Sequence, residues 1–160
     1  MSTNLTRGVA LALLLTASVA GAQTQTQTVN FSVSAINQLA VTSTPVSLTV
    51  NSATAGSDPA PVSDASSVWS ITTNQTNTKV SANIPSDMPA GVTLSVLLGQ
   101  PAGATSVSRD LASGTAQDLV TGITKLKALG LPGTYTLTAT AAAGVTSGSR
   151  VVTYTLTPGT

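Results

Sequence analysis

The sequence predicts an all-β fold of two antiparallel sheets packed face to face, with about seven to nine strands. Three observations carry that expectation. Short runs alternate apolar and polar residues, the pattern of a strand buried on one face. Clusters of Gly, Pro, Asn and Asp separate these runs at short intervals. The composition disfavours helix, because β-branched threonine is abundant while lysine is scarce and glutamate absent.

Residues 1–22 read as an export signal rather than as part of that fold. Arg7 precedes an apolar run from Val9 to Leu15, and a small-residue stretch ends in Ala20-Gly21-Ala22, which places cleavage before Gln23. The apolar run falls short of the roughly 20 residues a membrane span needs, and no later segment comes close. The expected location is therefore outside the cytoplasm: periplasm, cell surface or medium. Residues 23–28 alternate Gln and Thr, with nothing apolar to bury, and read as a flexible polar tail. Residues 29–160 suit one domain large enough to bury a core.

Val29, Phe31 and Val33 alternate with Asn30, Ser32 and Ser34 as the first expected strand. Pro45 opens a second run, with Val46, Leu48 and Val50 on its apolar face. Ala53 to Ser63 holds Gly56, Asp58, Pro59 and Pro61 and reads as a surface loop. Val68 to Thr73 and Lys79 to Ile84 follow as strands, joined through Asn74-Gln75-Thr76-Asn77 as a hairpin loop. Val80, Ala82 and Ile84 share one face, and Val92, Leu94 and Val96 alternate in the next strand. The segment from Ala116 to Leu131 fits a short helix as well as a strand, with a strand near Asp118 to Thr121 favoured. Gly133 to Ala143 and Arg150 to Thr157 then read as a terminal hairpin, with Tyr135, Leu137, Val152, Tyr154 and Leu156 inward. The long loops at Ala53 to Ser63 and Gly99 to Thr115 look like connections between sheets, which favours a sandwich over a barrel.

Composition also excludes chemistry. Cysteine is absent, so no disulfide, thiolate metal site or cysteine nucleophile exists. With histidine and glutamate also missing, most general acid and base chemistry has no side chain to run it. Asp110 and Asp118 would approach each other only if their strands paired, and Lys79, Lys125 and Lys127 have no serine in a Ser-x-x-Lys frame. No enzyme and no cofactor is expected. Asp58 and Asp64 are too sparse for a calcium loop and read as turn residues. Once Arg7 is removed, Lys79, Arg109, Lys125, Lys127 and Arg150 balance Asp58, Asp64, Asp87, Asp110 and Asp118, so nothing draws in nucleic acid over a distance. Asn74-Gln75-Thr76 matches the N-glycosylation frame. Trp69, the one tryptophan, competes with Val68 for the inward position. It reads as core, and if it turned outward it would be the candidate platform for a ligand.

The runs TVNFSVSAI at 28–36, AQDLVTGI at 116–123, GTYTLTATA at 133–141 and VTYTLT at 152–157 resemble those of small secreted bacterial envelope proteins with an immunoglobulin-like sandwich. More loosely, the chain is similar to pilin-like fimbrial subunits, which polymerise by inserting an N-terminal strand into a neighbour. The resemblance implies a structural or interaction protein of the envelope whose partner is itself or another envelope protein. In that reading Val29, Phe31 and Val33 form a self-association strand, or else the domain's own first strand. The alternative is a monomeric module binding a glycan or small ligand with its end loops.

Overall fold

Residues 21–158 are described by the computed structural model. The export signal expected over residues 1–22 lies, as far as Ala20, outside them. Two units are distinguished, one through Ser32 and one from Val33 onward, and the fold belongs to the second.

Nine strands build it: β1 (Asn37–Val41), β2 (Val62–Thr73), β3 (Thr78–Asn83), β4 (Val92–Leu98), β5 (Thr105–Ser106), β6 (Arg109–Asp110), β7 (Gln117–Ile123), β8 (Leu126–Ala139) and β9 (Thr153–Thr157). They form two antiparallel sheets, one in the order β1-β2-β8-β4-β6 and the other β5-β7-β3-β9. The expected all-β sandwich is what the chain adopts.

Its core follows from the alternation. Trp69 and Ile71 of β2 and Leu94, Val96 and Leu98 of β4 come from the first sheet, and Val80 and Ala82 of β3 and Leu119, Val120 and Ile123 of β7 come from the second. Each is at most 9% exposed. With no covalent staple, these side chains carry the stability, at about 1.5–3 kcal/mol for each large apolar group buried. Gln117–Ile123 is a strand, as favoured, and Lys125, in the left-handed region at φ 44, turns the chain directly into β8.

Four expectations are corrected. The four residues Asn74 to Asn77 do not close a hairpin: β2 and β3 belong to opposite sheets, and Asn77, at φ 53, turns the chain across the core. An arch is favoured because it lets Trp69 and Ile71 face Val80 and Ala82 across the interior, whereas a hairpin would set them side by side. The terminal hairpin is also absent. Both edges of β8 are taken, by β2 and by β4, so β9 pairs with β3 instead, and residues 140–152 cross between the sheets. The loop from Ala53 connects two strands of one sheet, β1 and β2, whereas the stretch from Gly99 to Thr115 does cross between sheets. Finally, neither Val29 to Ser34 nor Pro45 to Asn51 enters a ladder. The first ladder strand is β1, whose half-buried Leu39 and Val41 pack on the core.

Candidate strand-addition site

The two alternating runs that form no ladder behave differently. Val29, Phe31 and Val33 are 73%, 91% and 78% exposed, so little of their apolar surface is spent on the fold. The chain becomes fixed just beyond them. Asn74 accepts a bond from Ile36 N at Oδ1 (2.8 Å), donates from Nδ2 to Ser34 O (2.8 Å), and its own N–H reaches Ile36 O (3.2 Å). A single asparagine thus pins residues 34–36 beside the start of β1, and the N-glycosylation frame at Asn74 is spent on that anchor.

Val46, Leu48 and Val50 are half-buried while Ser47, Thr49 and Asn51 are exposed, so this run realises its alternation in burial. Leu48 packs on the core. Yet the chain makes no backbone hydrogen bond between Thr42, which donates to Val68 O (2.9 Å), and Ser52, whose carbonyl accepts from Ala60 N (2.8 Å). It has the form of a strand without a neighbour.

That bare run lines a cleft of about 1150 Å³. Its floor comes from the first sheet, with Leu94, Tyr135 and Leu137, and from Tyr154 of β9. Residues 144–152 line it as well, and their backbone N–H groups are likewise unbonded. β9 itself bonds β3 along one edge only. Backbone outside any ladder therefore lines this cleft in two segments distant in sequence.

Polar contacts hold the cleft in shape. The hydroxyls of Tyr135 and Tyr154 bond each other at 2.7 Å, tying the first sheet to the second. Burial, and then the bond to Tyr135, push the Tyr154 phenol well above its ordinary range. Arg150 donates from Nη2 to Asp87 O (2.7 Å) and from Nε to Ser86 O (3.1 Å). Asp87 in turn accepts from Ser113 N at 2.7 Å, which lowers its pKa. Arg150 is the one charged residue in the cleft lining, and these carbonyls occupy it.

The remaining candidates are placed plainly. Trp69 is 1% exposed, with Val68 outward in its stead, so its ring is core and offers no face to a ligand. Its Nε1 has no partner. Asp110 sits in β6 against Ser95 of β4, while Asp118 sits in β7 of the other sheet and pairs with Lys79 (3.1 Å), so the two aspartates are not brought together by strand pairing. Asp58 caps Ala141 N (2.8 Å) and Asp64 accepts from Ser66 N (2.9 Å), both as turn and backbone ligands. Sequence reasoning missed the cleft, because Pro45 to Asn51 reads as an ordinary strand and residues 144–149 as the turn of a terminal hairpin. No family model, curated protein or solved structure matches this chain.

Proposed function

We propose that this chain is an exported structural or interaction protein of the cell envelope that associates by strand addition, contributing Val29, Phe31 and Val33. One observation carries this reading: three large apolar side chains alternate with polar ones, are mostly exposed, and lack any ladder partner. Burying each against a sheet would gain about 1.5–3 kcal/mol, and the edge of that sheet would supply main-chain bonds and register. A neutral, hydroxyl-rich surface suits a protein that meets its partner through backbone rather than through charge.

The test is the solution mass of the chain from Gln23, by light scattering across concentration, beside the triple variant Val29→Asn, Phe31→Asn, Val33→Asn. Concentration-dependent assemblies that revert to monomers in the variant are expected. A parent that stays monomeric at every concentration overturns the reading.

The cleft favours a second reading, a monomeric module that binds a small ligand there. The half-buried Leu48, Leu137 and Val152 along it call for an apolar ligand, and with Trp69 buried a glycan has lost its aromatic platform.

A further inference from the structure

We infer that the cleft takes a neutral lipid, an uncharged amphiphile with a hydrocarbon chain, and that the Tyr135–Tyr154 pair on its floor bonds an oxygen of that lipid's ester. The inference rests on the small-ligand reading of the cleft and adds the ligand's class and the group that recognises it. At about 1150 Å³ the cleft exceeds the roughly 300–1,000 Å³ of most small-molecule sites, which suits a chain molecule better than a compact one. Its lining is graded. Val46, Leu48 and Val152 are half-buried and apolar, while Ser43, Thr49 and Ser147 are exposed and carry hydroxyls. Hydrocarbon is therefore favoured inside the cleft and polar atoms at its mouth. Val145 and Val151, exposed on the same lining, would leave water against a bound chain.

Charge decides against an ion. No acidic side chain lines the cleft, so a ligand cation would enter without a counter-charge. Arg150, the one cation, is held to the wall at all three guanidinium nitrogens: Nε by Ser86 O and Asp87 O, Nη1 by Ser149 O and Nη2 by Asp87 O. The Asp87 carboxylate also lies close enough to feel that charge, so an anion finds it already answered. Hydrogen-bond accounting then gives the oxygen its partner. Two phenols carry two O–H protons, and the 2.7 Å bond between Tyr135 and Tyr154 uses one of them. Neither hydroxyl has a further partner among the described residues, so one proton remains to be donated. Burial keeps the Tyr154 phenol protonated at neutral pH, and a carbonyl oxygen with no charge of its own is the acceptor such a donor takes without stranding an ion.

The test compares three labelled probes of equal chain length, decanoylglycerol, decanoate and decane, by equilibrium dialysis at neutral pH below the concentrations at which they aggregate. The parent is set beside the double variant Tyr135→Phe, Tyr154→Phe, which removes both partners of one bond and keeps their shape, so the fold is retained. Decanoylglycerol should bind tightest to the parent and weaken about 2- to 12-fold in the double variant, the loss of one hydrogen bond, while decane is unchanged or tighter. Leu48→Asp, which sets a charge inside the cleft, should abolish binding of decanoylglycerol, and Leu129→Asp, outside the lining, should leave it intact. Tighter binding of decanoate than of decanoylglycerol would make Arg150 the recognising group and overturn the inference. A double variant that keeps the parent's preference for decanoylglycerol over decane would overturn it too, and leave the cleft a site for an apolar ligand. If none of the three binds, the small-ligand reading falls with it.

Discussion

Replacing Phe31 by Asn separates folding from association. Phe31 is 91% exposed, so folding withdraws less than a tenth of its side chain from water, and its removal should cost the isolated chain only about 0.2 kcal/mol. Ile71→Ala is the contrasting variant. Ile71 is 2% exposed in the core and should cost about 3 kcal/mol, lowering the urea midpoint by about 2 M at a typical slope for a domain of this size. Both are measured by urea unfolding at two protein concentrations. At the dilute end, Phe31→Asn should superimpose on the parent. At a free concentration about 100-fold above the dissociation constant, association should raise the parent's apparent stability by about 2.7 kcal/mol and leave Phe31→Asn unmoved. A loss of more than about 2 kcal/mol in dilute Phe31→Asn would mean that the run is an ordinary core strand, and would refute the argument at its root.

Four further outcomes follow from the geometry. Asn74→Ala removes the side-chain bonds to Ile36 N and Ser34 O, and should cost about 1–2 kcal/mol and speed hydrogen exchange at the Ile36 amide. Gly99→Ala should cost about 1–3 kcal/mol by denaturant titration, because a Cβ there would stand 2.7 Å from Pro132 Cδ and 3.0 Å from its carbonyl oxygen. The Tyr154 phenol is held neutral above its ordinary value of 10.0, so the stability it contributes is complete below about pH 10 and declines as pH rises beyond, when the unfolded chain ionises first; Tyr154→Phe should flatten that alkaline limb in a pH series of thermal melts. Asp87 is shifted the other way by the Ser113 amide, so its contribution is present above about pH 4 and lost as pH falls further, and Asp87→Asn should make the acid limb shallower in the same series.

What the sequence could and could not disclose divides along a physical line. Period-two alternation states that a segment is made to lie half in and half out of a sheet. It held wherever a face had to be buried: Val80 with Ala82, Leu94 with Val96, and Tyr154 with Leu156 all point inward as their spacing requires. Alternation is silent about which strand lies alongside. Sequence order alone therefore joins Lys79 to Ile84 with Val68 to Thr73, its neighbour in the chain, whereas β3 pairs with β7 and β9, and it joins the last strand with β8, whose edges β2 and β4 already occupy. Neighbours in sequence make hairpins only if their apolar faces belong to the same sheet, and two strands that each supply one half of a core must arch across it instead. The same silence bears on the site. Val29–Val33 and Val46–Val50 have the pattern of paired strands and no ladder partner among the described residues, and only the structure reveals that the second lines a cleft while the first is left exposed. The alternation prepares a segment for a sheet without saying which sheet receives it. Exposure of Val29, Phe31 and Val33 is therefore the observation on which the strand-addition reading stands or falls, since burial is what their spacing prepares them for.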